Sequence, residues 1–129
     1  MSDNQLNPKS YRAPVEVTFT FPEDLQMDIG YKSVTLRELK ASAESRAISR
    51  ANGDGGTLIN ELVKECVVCA VDLDGITYKV STADESIDIL MDRLGPKGRS
   101  LLAQGYANVN QPRGTDAAGF LKSASAKVA

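Results

Sequence analysis

The sequence predicts a mostly helical α+β fold of about four helices, with an N-terminal strand and a small β-hairpin. Three observations predict it. Residues 57–80, TLINELVKECVVCAVDLDGITYKV, begin with Leu58, Ile59, Leu62, Val63, Cys66, Val67 and Ala70 at the spacing of one helix face. Asp74-Gly75 then breaks that pattern, and Ile76-Thr77-Tyr78-Lys79-Val80 resumes it with apolar residues at every second position. A turn dipeptide between two apolar runs marks a hairpin. Nearer the start, residues 14–21, PVEVTFTF, set Val15, Val17, Phe19 and Phe21 against Glu16, Thr18 and Thr20, the alternation of a half-buried strand. The stretch 57–80 is the most apolar in the chain, so the remainder is expected to pack against it.

The other elements follow from local chemistry. Residues 1–13 are polar and without period, the composition of a flexible arm. Pro22 stops the first strand because it has no N–H for a ladder, and residues 23–31 read as a connection. Thr35-Leu36-Arg37-Glu38 has the form of a capping box, with Val34 and Leu39 placed as a hydrophobic staple. A helix is expected from there, with Leu36, Leu39, Ala43, Ala47 and Ile48 on one side and the glycines of 52–56 ending it. Thr57 is expected to cap the next helix, which hands over to extended backbone between Val67 and Val71, where β-branched residues become dense. Thr82-Ala83-Asp84-Glu85 is a second capping box, opening a helix with Ile87, Leu90, Met91 and Leu94 as its stripe. Gly95-Pro96 is expected to terminate it. A last helix over about 97–108 has Leu101, Leu102, Tyr106 and Val109 as its apolar set, with Gly105 inside at about 1 kcal/mol relative to alanine. Residues 14–110 thus form one globular domain, and 111–129 a linker and a tail, either flexible or ordered on a partner, with Phe120 and Leu121 at helical spacing.

Composition narrows the function classes. The chain has 129 residues, a formal charge of −2 with acids and bases interspersed, and 5% aromatic residues without tryptophan, so its core is aliphatic. That charge pattern argues against nucleic acid as a partner, and no apolar run is long enough to span a bilayer. The N-terminus lacks the apolar region of a secretory signal, and two cysteines without an export signal fit a reducing, cytosolic setting. There is no histidine, which removes the usual general base and the commonest metal ligand.

Candidate chemistry is sparse. Cys66-Val67-Val68-Cys69 has the spacing of a redox pair or of half a zinc site. The chain offers no further Cys or His to complete four ligands, and the pair sits late in an apolar run rather than opening a helix. Both cysteines read as small hydrophobes. Asp72-Leu73-Asp74-Gly75 lacks the glycine and glutamate of a calcium loop, having Thr77 sixth and Ala83 twelfth, and reads as a turn. The glycines before Thr57 lack the lysine of a phosphate loop. No catalytic residue, metal ligand or cofactor site is assigned.

The order of elements, with "VTLRELKASAESRAIS", "TLINELVKECVVCAVDLDG" and "DESIDILMDRLGPKGRSLLAQGYANVNQP", resembles small tail assembly chaperones and baseplate assembly proteins of tailed bacteriophages. The matching residues are Val34, Leu36, Arg37 and Leu39 at a helix start; Val71, Asp74 and Gly75 at the hairpin; and Leu90, Leu94, Arg99, Leu102 and Asn108 in the closing helix. The resemblance implies a non-enzymatic protein binder, in the host cytoplasm during assembly or in the virion, whose partners are other phage tail or baseplate proteins. Alternatives are a structural tail or baseplate component, a small redox or metal protein using Cys66 and Cys69, and a host-directed regulatory binder. Three places are expected to meet a partner. Val15, Val17, Phe19 and Phe21 would pair with a partner sheet edge, Phe120 and Leu121 would dock as a helix, and Arg93, Lys97 and Arg99 would face an acidic surface.

Overall fold

A computed structural model describes residues 13–111, 119, 121 and 122. The expected flexible arm therefore lies outside the described residues except for Ala13, as does most of the expected tail, including Phe120. The fold is α+β and mostly helical. Its elements are β1 (Glu16–Thr20), α1 (Glu23–Ile29), β2 (Tyr31–Arg37), α2 (Ala41–Ala51), α3 (Gly55–Cys66), β3 (Val67–Asp72), β4 (Thr77–Lys79) and α4 (Ser86–Asn110). The strands form one antiparallel sheet in the order β1-β2-β3-β4.

Two elements differ from the sequence expectation in kind. Residues 23–29 are a helix, not a connection. Glu23 and Asp24 sit at its positive end, the Gln26 side chain donates to the Phe21 carbonyl at 2.7 Å, and the Gly30 N–H closes the last turn on Gln26. Residues 31–37 are a strand, not the start of a helix, so Val34, Leu36 and Arg37 occupy β2. Pairing on both sides overrides the capping pattern: Thr35 lies opposite Thr18 on one flank and Cys69 on the other. The Thr35 hydroxyl shares a 2.8 Å hydrogen bond with that of Thr18. Glu38, expected to reach back to a helix end, instead accepts the Val15 N–H at 2.8 Å and holds the start of β1.

The remaining helices keep their expected places with shifted ends. α2 starts at Ala41 and buries Ala43, Ala47 and Ala51 against α3, while Ile48, expected on the inner side, is exposed. Asp54 rather than Thr57 caps α3, accepting the Gly56 N–H at 2.9 Å. Its handover to β3 falls at Val67, inside the expected window. Thr82 caps nothing, because α4 begins at Ser86; its hydroxyl donates to Glu65 at 3.3 Å instead. Gly95-Pro96 interrupts α4 without ending it. Gly95 takes φ 64°, ψ −176°, a left-handed backbone that a side chain would strain, and the helix resumes from Pro96. The guanidinium of Arg99 donates to the Met91 carbonyl at 3.0 Å, across the break.

Cross-strand register divides the sheet into two faces. Val17, Leu36 and Val67 share the inner face with Phe19, Val34, Ala70 and Tyr78. Leu36, Val34 and Ala70 are buried there against Leu90, Leu94 and Leu102 of α4 and Val63 and Cys66 of α3, in one apolar core. Asn110 ties the end of α4 to this core, accepting the Leu39 N–H at 2.7 Å and donating to Cys66 Sγ at 3.5 Å. Beyond the buried alanines, charge also joins α2 to α3. Arg50 bonds Glu61 at 2.6 Å and Glu65 at 2.5 Å, and Arg46 bonds Glu65 at 3.0 Å. No helix among the described residues is long and apolar enough to cross a membrane.

Candidate protein-binding surfaces at the two sheet edges

One kinked helix covers four strands incompletely, and among the described residues nothing pairs with the outer flanks of β1 and β4. At the β1 edge, a groove of about 400 Å³ runs between β1 and the second half of α4. Phe19, Phe21 and Pro22 form one wall, and Leu101, Gln104 and Asn108 the other. Gly105 lets the helix approach the strand. A Cβ at that position would stand 2.9 Å from Leu36 Cδ1 and 3.3 Å from Phe19 Cε2, closer than packed carbon atoms sit. Gly105 therefore serves close packing, which outweighs its helix cost.

At the β4 edge the first half of α4 falls short of the strand. Ile76, Tyr78 and Ile89 are 52%, 48% and 52% exposed. Tyr78, Ile89 and Arg93 border a depression of about 280 Å³ floored by Ala70, Val80 and Leu90. Asp72 organises this edge. Its Oδ1 accepts the N–H groups of Asp74 and Ile76, each at 2.9 Å, and its Oδ2 accepts the Tyr78 hydroxyl at 3.1 Å. The Ile76 N–H first, then the Tyr78 hydroxyl and the other turn amides, hold the Asp72 carboxyl below its ordinary value. The same hydroxyl bond raises Tyr78 above its own. The tyrosine ring is thus fixed before any partner arrives.

The residues expected to meet a partner are distributed unevenly. Val17 and Phe19 are half-buried on β1, Val15 is exposed just before it, and Phe21 is buried, forming groove wall rather than a free contact. Arg93, Lys97 and Arg99 do not act as one basic cluster. Arg93 borders the β4 depression, Lys97 borders a separate one of about 550 Å³ beside Asp24 and Asp28, and Arg99 is committed to the helix break. Leu121 is exposed; Phe120 lies outside the described residues.

The cysteines face different surroundings. Cys66 is buried at the end of α3, where burial pushes its thiol up to about 11. Cys69 lies on the opposite face of β3, between Thr35 and Lys79. The described residues include no group of three or more acidic, cysteine or histidine side chains able to hold a metal ion.

Ile76, Tyr78 and Ile89 are the surface residues that sequence reasoning did not single out. The alternation of 76–80 marked a strand, but nothing local distinguishes an edge strand from an inner one. Comparison with family models, with curated proteins and with solved structures finds no match.

Proposed function

We propose that this chain is a non-enzymatic assembly protein of a bacteriophage tail or baseplate, which shields apolar surface on another tail component until assembly proceeds. The observation that carries a protein-binding role is the preorganised apolar patch at the β4 edge. Two isoleucines, Ile76 and Ile89, and Tyr78 between them, each about half exposed, with Arg93 at the rim, match the composition of interface centres. Asp72 reduces the ordering cost of binding by holding Tyr78 in place. The phage assignment is supported by the aliphatic pattern of the sequence.

The test is co-purification of the tagged chain from infected or co-expressing cells, with the bound protein identified by mass spectrometry. A tail or baseplate protein is expected, and Ile89→Asp should release it. Recovery of no tail component, or a partner indifferent to Ile89→Asp, overturns the proposal. Mass spectrometry of purified virions distinguishes a chaperone, absent from the particle, from a retained component.

A further inference from the structure

We propose that the opposite edge, β1, pairs with β1 of a second copy of this chain. The pairing is antiparallel about a two-fold axis at Thr18 and joins the two four-stranded sheets into one.

The backbone specifies the pairing groups. The Phe21 N–H bonds the Lys32 carbonyl and the Glu38 N–H bonds the Val15 carbonyl, both at 2.9 Å. Odd-numbered residues of this strand therefore face β2. In an antiparallel ladder the alternate residues then direct N–H and C=O outward, which places Glu16, Thr18 and Thr20 on the open flank. β1 contains no proline, lysine or bulge, the usual means of blocking an edge, and its one charged residue, Glu16, is paired with Arg37 of β2 at 3.5 Å. Pro14 and Pro22 bound it instead.

The side chains select a second copy over a foreign strand. With Thr18 opposite Thr18, Glu16 lies opposite Thr20, so all three outward-facing residues bond and no like charges meet. On the inner face Val17 falls opposite Phe19 of the other copy, joining two half-buried apolar residues above the groove. On the outer face the existing Thr35–Thr18 hydroxyl pair continues into the Thr18 and Thr35 of the second copy. This surface is distinct from the β4 patch, so each can fail alone.

The experiment is sedimentation of the full chain with two variants. The parent is expected to sediment as a dimer at high micromolar concentration. Thr18→Pro removes an N–H that β2 does not use, and should give a monomer with an unchanged far-UV circular dichroism spectrum. Thr18→Cys, made with Cys69→Ser, should yield a disulfide-linked dimer on mild oxidation. The facing Cα atoms of such a pair lie about 5.5 Å apart, inside the bridging range of roughly 4.4–6.8 Å. A parent chain that stays monomeric overturns the proposal, and so does a dimer that survives Thr18→Pro. If Thr18→Pro does not fold, the Thr18→Cys variant decides: absence of the covalent dimer overturns the proposal and its formation supports it.

Discussion

The two edges of this sheet solve the same problem in opposite ways. At β1 the backbone is open while the side chains are partly sheltered by α4, so the edge offers hydrogen bonds and a groove. At β4 the strand is only three residues long, so it offers little ladder, and its side chains protrude. The cause is one helix. α4 breaks direction at Gly95, and its second half closes on β1 through Gly105 while its first half leaves Tyr78 uncovered. An open strand backbone and exposed apolar side chains are therefore separated on one small domain by the path of a single element.

The largest expected effect comes from removing what the two edges share. Leu36 is fully buried in β2, beneath α4. Leu36→Ala should cost about 2–5 kcal/mol in urea unfolding, with both edges loosened. A cost below about 1 kcal/mol, typical of a surface site, would show that this strand is not the common support. Gly105→Val comes next, and it acts on one edge only. Overpacking against Leu36 and Phe19 should cost about 1–3 kcal/mol. Amide shifts in NMR spectra should change along β1 and the second half of α4. Changes as large at Tyr78 would mean that the edges are mechanically coupled.

These two positions also show what was legible in the sequence. The hairpin at Asp74-Gly75, the handover at Val67 and the strand alternation of β1 were all readable, because each rests on local backbone preference. β2 was not. Thr35 and Glu38 satisfy a capping pattern locally, and only the arrival of β1 and β3 on either side makes the strand the better state. α1 was hidden by its length, since seven residues show barely two turns of periodicity. The count of four helices agrees by a compensation. α1 was unforeseen, and the two helices expected around Gly95 are one kinked element. The β4 patch was illegible for a different reason. Exposure of Ile76 and Ile89 depends on where α4 passes, and no residue near either one encodes that path.

A smaller effect is expected at the α2–α3 pair, which should leave both edges intact. Burial pushes the Glu65 and Glu61 carboxyls up, but the hydrogen bonds from Arg46, Arg50 and Lys64 outweigh it, and both end below their ordinary value. A lowered carboxylate stabilises the fold fully above the unfolded value of 4.5 and loses that contribution as pH falls through the lower folded value. Glu65→Gln should cost about 1–2 kcal/mol at neutral pH, with the exposed arginines returning to water, and should flatten the acid limb of the stability curve. An unaltered acid limb would mean that these pairs contribute nothing measurable, although the Glu65 side chain is only 3% exposed.

The smallest effect is the most specific to the comparison. Asp72→Asn replaces the charged acceptor of the Tyr78 hydroxyl and leaves the β1 edge untouched. Tyr78 is raised above the ordinary tyrosine value of 10.0 by that hydrogen bond and the adjacent charge. A raised tyrosine stabilises the fold below its unfolded value and loses that contribution as pH climbs through the folded one. Asp72, lowered from 3.8, contributes above that value and loses its contribution as pH falls through the folded one. The bond is therefore complete across the neutral range and weakens at both extremes. In ultraviolet titration of the parent, Tyr78 and the buried Tyr106 should both ionise late, and Asp72→Asn should bring Tyr78 alone back toward the ordinary value. Partner capture should weaken because the ring now has to be ordered on binding, while self-association through β1 stays the same. If Asp72→Asn changes sedimentation as much as it changes capture, the two edges cannot be treated as independent surfaces.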